Sequence, residues 1–537
     1  MSLVQSVDQV ALAPAYLAAL TAVAVLVTDL VVPGRRVPAL LAAVLGTTAT
    51  GVVAVLVGLG PRRATFCVPG GRLPGGVPVG QSCSYVADHV AALVAVLFCA
   101  VTLVVLALST PVLAARVAPS GEYLFLLAAS LTGGVVLGYA RDLITLLIAV
   151  ETLTLPLYVL IALRRRAAPA EQAAAERAAA PADRAVAGRT ALVERGGGGG
   201  ADPIVGPRDA ASGALTFFVI SVVSSTVTLL GAALLYALTG AVHLDRIAAA
   251  LAHRDELRGV PLTSAAVLLV LVGLAFKLAA VPFHGWAPVS YDGAPLPVTA
   301  YLSTASKLGG VVAVLYVTVY AFGPWLTVVG PLLAVLAVAS MTVGNLAALW
   351  QTRMVRLLAF SSVAQSGYLL APLGAFAAAG ARHTLTTASL GYTVFYLLLE
   401  LGAFGALIAL RGAGSGGVVE DYRGAGRARP LTAAALAFAL IGLAGLPPSL
   451  AGLFAKITVV RAALAGGTTW LAVLIGLNAV LGLVYYLRAA VVLFRPGRYR
   501  PGPVRPLLGV VVGLVTAAAV LVGFAPQLVL AAAGLLR

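Results

Sequence analysis

The chain has 537 residues, 61% of them hydrophobic and only 10% charged, with a formal net charge of +16 and a mean hydropathy of +1.03. A soluble domain of this length does not carry that composition, whereas apolar runs of about 20 residues, each able to cross a bilayer core as a helix, recur from end to end. The positive charge is not a nucleic-acid footprint, because the arginines fall in short loops between apolar runs, where topology rules place them.

The runs divide into fourteen predicted spans, at 10–32, 38–60, 89–115, 122–140, 143–163, 213–238, 262–281, 297–321, 325–350, 356–375, 385–410, 431–462, 468–493 and 505–535. No cleavable signal peptide is evident, because the first run has no basic residue before it and carries Asp8 at its start, so it reads as a retained span. Between spans five and six lies a low-complexity insert, 164–212, rich in Ala, Arg and Glu and ending in Gly196–Gly200. It has little to bury and reads as a flexible or weakly helical loop. Alternating the spans puts Arg35, Arg36, Arg116, Arg164 to Arg166, Arg353, Arg356, Arg411, Arg423, Arg427, Arg429, Arg495, Arg498, Arg500 and Arg505 on one side. Fewer lie on the other, so the first side is assigned to the cytoplasm and both termini to the outside of the membrane. The polar loop holding Cys67 and Cys83 then faces outward, where the two could pair as a disulfide. Cys99 lies inside a span.

Two spans are interrupted. Span seven runs into Pro282, followed by Pro288, Pro295 and Pro297; span twelve contains GLPPSLAGLFAK, with Pro447 and Pro448 shortly before Lys456. Proline frees backbone carbonyls, which at membrane depth is tolerated only inside protein or beside a water-filled cavity. A broken helix beside an ionisable residue, once in each half, points to a transporter built from internal repeats. The expected fold is an all-α polytopic membrane protein of about fourteen transmembrane helices, with two inverted five-helix repeats and two broken helices. Its divisions are a three-helix segment (1–121), a first repeat (122–321), a second repeat (322–494) and a C-terminal span (495–537).

Against 35 Lys plus Arg, the chain holds only three lysines, Lys277, Lys307 and Lys456, and all sit inside apolar segments. A buried lysine can release its proton; an arginine effectively cannot. Glu151 and Glu400 also lie mid-span. A charge at the bilayer centre costs at least ~2.5–3.5 kcal/mol, so each of these groups needs a partner, water or neutralisation. Glu151 and Lys277 form the natural ion pair. Ser303 and Thr304, four and three residues before Lys307, share its helix face. Tyr158 stands seven residues after Glu151, and His284 would stand seven after Lys277 if the helix continued. Glu151, Lys277, Lys307 and Lys456 make a candidate proton relay, with Tyr158, His284, Ser303, Thr304 and Glu400 as accessories. A static set of salt bridges is the alternative for any single residue. No Cys cluster, haem-spaced His pair or P-loop is present, and the Gly196–Gly200 run is linker-like. No metal site is expected; His89, His243, His253 and His383 fall near span ends.

Four segments carry a family resemblance: ETLTLPLYVL at Glu151, FKLAAVPFHGWAPVSYDGAPLPVTAYLSTASK at 276–307, MVRLLAFSSVAQSGY at 354–368, and GLPPSLAGLFAK at 445–456. With them the chain resembles the antiporter-like membrane subunits of respiratory complex I, and within these the N subunits of bacterial NADH–quinone oxidoreductase. The resemblance implies a translocase subunit that couples quinone reduction elsewhere to proton pumping. Glu151 and Lys277 would be the coupling pair, Lys307 the central lysine and Lys456 the terminal one. It also implies NADH, FMN, iron–sulfur clusters and quinone in the parent complex, none of them in this chain, with other membrane-arm subunits and lipids as partners. The chain departs from the family at Thr216, where a lysine is usual; at Glu400, where a neutral residue is more common; and in its longer insert. The alternative is a subunit of a cation/proton antiporter without a redox partner.

Overall fold

The computed structural model describes residues 7–163, 207–375, 382–411, 416–499 and 505–534. Most of the insert lies outside these residues, but its last part does not: the helix of span six starts at Pro207, so 207–212 is helical rather than loop. Among the described residues, twelve helices are long and apolar enough to cross a membrane. Two further crossings are broken. Pro261–Lys277 is followed by the short helix Trp286–Gly293, and Pro430–Ala444 by Leu450–Ala465.

The helix ends follow local chemistry. Asp8, Asp88 and Asp142 cap Gln9–Val31, His89–Leu108 and Leu143–Ala162, each carboxylate accepting from free first-turn amides. Pro261, Pro430 and Pro506 open their helices, where the missing amide costs nothing. Spans eight (Leu296–Ala321), ten (Met354–Gly374) and eleven (Thr384–Arg411) form the centre and are almost wholly buried. The polar side chains on these three therefore meet protein rather than lipid. Span eight also contains two π-helical turns, Leu302–Ser306 and Val317–Ala321, a feature often found where a helix serves a site. Spans one, two, six, thirteen and fourteen form the periphery, turning out Leu30, Leu56, Val223, Val480, Leu514 and other large apolar side chains.

One loop holds structure that the hydropathy pattern did not foretell. Arg63–Val68 pairs antiparallel with Ser82–Ala87, and the register sets Cys67 opposite Cys83. The two are joined by a disulfide. The Arg246 guanidinium, from the surface helix Leu244–His253, donates to Ser82 Oγ and to the carbonyls of Val68, Pro69 and Gly80, clamping the hairpin down. Ion pairs Asp8–Arg63 and Asp88–Arg141 lie on this same face, with Arg141 also over the rings of Tyr316 and Tyr320. Asp292–Arg353 and Asp421–Arg411 lie on the other. These contacts sort the loops into the two groups that alternation of the spans produces.

Candidate functional site

The first break builds the site. The helix of span seven ends at Lys277, and the chain turns through Ala279, whose φ of 54° no helix allows. Lys277 is 3% exposed, and its ammonium donates to Glu151 Oε1 at 2.8 Å, Ser221 Oγ at 2.8 Å and Thr154 Oγ1 at 3.3 Å. All three of its protons are thereby satisfied. Ser225 donates to the same Glu151 oxygen, and Tyr158 OH donates to Ser221 Oγ at 2.5 Å. Glu151 itself is 29% exposed on the flank of the protein, so this pair is buried on one side only.

The backbone freed by the break finds partners in four other elements. Trp286 Nε1 donates to Phe276 O at 3.3 Å, and the amide of Val281 donates to Ser340 Oγ at 2.9 Å. The carbonyl of Leu278 accepts from Lys307 Nζ at 2.9 Å and also from Ser366. Lys307, fully buried, completes its set with Ser366 Oγ and the Ser362 carbonyl on span ten. Adjacent residues of one helix end thus touch both lysines: Lys277 through its side chain, Leu278 through its carbonyl.

The second break repeats the device with less charge. The helix ends at Ala444, and Gly445 takes φ 87°, a conformation that favours glycine. Lys456 Nζ donates to the freed Ala444 carbonyl at 2.6 Å, and Gln365 Nε2 donates to that of Leu443 at 3.3 Å. The ammonium lies 5.0 Å from the centre of the Tyr368 ring, within cation–π range. A pocket of about 330 Å³, lined by Gly445, Leu446, Ile457, Arg461 and Leu483 among others, opens beside it.

Span ten joins the two regions. Ser362 Oγ is paired with Tyr396 OH at 3.0 Å and Tyr291 OH at 3.3 Å, on the Lys307 side. Ser361 Oγ pairs with Tyr486 OH at 2.5 Å, Gln365 donates to that hydroxyl at 3.0 Å, and Tyr392 donates to Gln365 Oε1 at 2.5 Å, on the Lys456 side.

Three accessory candidates sit differently from their expected roles. The helix stops at Lys277, so His284 does not continue its face; it lies in the turn, partly exposed, and makes no hydrogen bond to either lysine. Ser303 and Thr304 fall in the π-helical turn and donate back to the Ala300 carbonyl, at 3.0 and 2.5 Å, while the Lys307 ammonium donates elsewhere. Glu400 is fully buried on span eleven. At Thr216 the expected lysine is absent, and the same helix supplies hydroxyls further along, Ser221 and Ser225. Their spacing of four residues in ISVVSSTV placed them on one face in the sequence. Thr154, on a helix with one exposed apolar flank, and Ser366, Tyr392 and Tyr396, on the almost wholly buried spans ten and eleven, join the site through tertiary packing. Among the described residues, no group of three or more His, Cys, Asp or Glu is placed to hold a metal ion.

The fold and these buried lysines define a class, that of the multi-pass antiporter-like membrane subunits. Residues 206–482 match the family described as NADH:quinone oxidoreductase/Mrp antiporter, TM. A relative from Salinispora tropica, NADH-quinone oxidoreductase subunit N, is 52% identical over 99% of both chains. Another, subunit N 2 from Streptomyces griseus, is 40% identical over 92% of this chain and 84% of its own. Among solved structures, a chain of respiratory complex I from Thermus thermophilus, with bound aureothin, superposes with a TM-score of 0.72 at 27% identity, covering 96% of this chain and 98% of that one. A chain of the Mrp complex from Dietzia sp. shares the fold at a TM-score of 0.72 and 20% identity, covering 97% and 96%. The chain belongs to the NADH–quinone oxidoreductase subunit N family and is a membrane subunit of that proton-translocating complex.

Proposed function

We propose that Glu151, Lys277, Lys307 and Lys456 form a proton relay along the middle of the membrane, driven by quinone reduction in other subunits. The observation that carries the reading is the shared helix end: Lys277 holds Glu151 while the next residue's carbonyl holds Lys307. Movement of that turn alters the surroundings of both ammonium groups together. With Glu151 in place, Lys277 is held protonated; with the carboxylate withdrawn, a desolvated ammonium is driven to give up its proton. The Glu151 flank, open at the surface, is where a neighbouring membrane-arm subunit acts on the pair. NADH, FMN, iron–sulfur clusters and quinone serve other chains of the parent complex. The arginine-rich loop face lies in the cytoplasm of a bacterium, the disulfide-bearing face outside its plasma membrane, and the repeats correspond to 122–321 and 322–494.

The test is Lys277→Ala in the assembled complex, in sealed vesicles, with NADH oxidation and proton uptake measured together. Loss of coupled pumping supports the relay; wild-type values for both would remove it. Extraction in mild detergent separates the antiporter reading, which predicts no co-purifying flavin and iron–sulfur subunits.

A further inference from the structure

We propose that Glu400 is a proton-carrying group of the second half, joining the hydrogen-bond cluster at Lys307 to the cluster that leads to Lys456. The inference rests on the relay reading above and extends it by one residue that the four-residue line leaves out.

Glu400 is 0% exposed, and neither carboxyl oxygen has a hydrogen-bond partner among the described residues. Other carboxylates in the fold are treated differently. Asp142, at 3% exposure, accepts from the amides of Ile144 and Thr145 and from the Thr145 hydroxyl. Glu151 accepts from Lys277 and Ser225. An ionised carboxyl with no donor, deep inside a membrane protein, is among the costliest groups a fold can hold, so Glu400 rests as the neutral acid.

Its surroundings give the acid a use. The positive charge acting on it is Lys307, and the hydroxyls of Tyr291, Tyr396 and Tyr486 lie within its electrostatic reach. Tyr396 stands one helical turn before Glu400 and, with Tyr291, is paired with Ser362, whose carbonyl accepts from Lys307. Tyr486 belongs to the other cluster, with Ser361, Gln365 and Tyr392. Tyr392 stacks against Tyr368 at 5.9 Å, and Tyr368 lies under Lys456. Among the described residues, no side-chain hydrogen bond joins the two clusters, and the Glu400 charge acts on hydroxyls of both, Tyr396 in one and Tyr486 in the other. The first half keeps its carboxylate on span five, facing Ser221 and Ser225 of span six. The second half carries Ser361, Ser362 and Ser366 on span ten and its carboxyl on span eleven.

The chemistry is proton transfer alone. Glu400, at rest the acid, gives its proton, through the Tyr486–Gln365–Tyr392 cluster and any water it admits, to the neutral amine of Lys456. The carboxylate left behind takes a proton from the Lys307 ammonium, which becomes a neutral amine and restores the acid.

The experiment compares Glu400→Gln, Glu400→Asp and Lys277→Ala in the assembled complex. Glu400→Gln preserves shape and removes the exchangeable proton, so coupled NADH oxidation falls about a hundredfold, the low end of what a positioned acid–base group contributes. Glu400→Asp recovers much of it. Wild-type coupling in Glu400→Gln alongside a failed Lys277→Ala makes Glu400 a packing residue and leaves the relay standing. Wild-type coupling in Lys277→Ala removes the relay and this inference with it. A second readout needs no variant: a hydrophobic carbodiimide, which attacks protonated buried carboxyls, adds to Glu400 of the wild-type complex by mass spectrometry. No adduct at Glu400, under conditions that label a known buried acid, overturns the proposal even if Glu400→Gln fails to assemble.

Discussion

The two helix breaks use one device with opposite electrostatics. In each, a proline-rich turn frees carbonyls and a lysine from another part of the chain takes one of them: Lys307 at Leu278, Lys456 at Ala444. The first break also has a lysine at its own end, paired with Glu151 at 2.8 Å and surrounded by three hydroxyl side chains. Among the described residues the second has no ion pair: Lys456 is held by a backbone carbonyl and a tyrosine ring. An ammonium facing a carboxylate is fixed in its charged state, whereas one facing only neutral acceptors has less to keep its proton. The difference suits a first half that receives a signal and a second half that passes protons on.

Removing the ion pair makes the largest break in this contrast. Glu151→Gln leaves Lys277 buried with hydroxyl and amide oxygens only, which turns the first break into a copy of the second. Breaking a buried pair costs about 3–5 kcal/mol, and the 29% exposure of Glu151 puts the expected cost at or below the bottom of that range. Coupled proton pumping should collapse, and the thermal midpoint of the purified complex should fall. Pumping retained at wild-type level would show that the carboxylate does not set the state of Lys277.

Lys456→Met comes next. It keeps the length of the side chain but leaves the Ala444 carbonyl without its donor, at about 1–3 kcal/mol. Because no buried charge is orphaned, assembly should survive better than in Glu151→Gln while pumping is lost. Equal loss of assembled complex in both variants would erase the proposed difference between the breaks.

The sequence displayed these breaks well because their markers are local: prolines inside apolar runs, and three lysines in a chain that otherwise uses arginine. It did not display what the lysines touch. Ser366 and Tyr396 lie on helices buried on every face, so periodicity is silent there, and the Leu278 carbonyl has no residue type to betray it. The helix ends at Lys277, so the seven-residue spacing of His284 does not place it on that face. Ser303 and Thr304 lie in a π-helical turn, where α-helical spacing does not give the register to Lys307. The hairpin at 63–87 was hidden in a loop read only for its cysteines.

Gly445 tests the geometry of the second break alone. Its φ of 87° strains any side chain, and a Cβ there would come 2.5 Å from Lys456 Cδ. Gly467, at φ 73°, has open space around it and serves as the control. Both Gly→Ala changes should cost about 1–2 kcal/mol for the left-handed backbone. Only Gly445→Ala should also displace Lys456 and lower pumping. Equal effects on pumping would mean that the lysine does not depend on the turn.

The smallest expected effect falls on the hydroxyl that reinforces the pair at the first break. Ser225 donates to the Glu151 oxygen that also holds Lys277, so Ser225→Ala removes one of two donors without exposing a charge. A hydrogen bond to a charged group contributes about 1.5–3 kcal/mol, and the partial exposure of Glu151 lets water replace part of it, leaving about 1 kcal/mol. If the serine steadies the pair where the family usually places a lysine, its loss should depend on Lys277. Stability and pumping rates in Ser225→Ala, Lys277→Ala and the double variant form a cycle that reads this dependence. Effects that add fully would show that Ser225 packs against the pair without holding it. A shortfall from additivity would show that helix six, with hydroxyls alone, does part of the work of the missing charge.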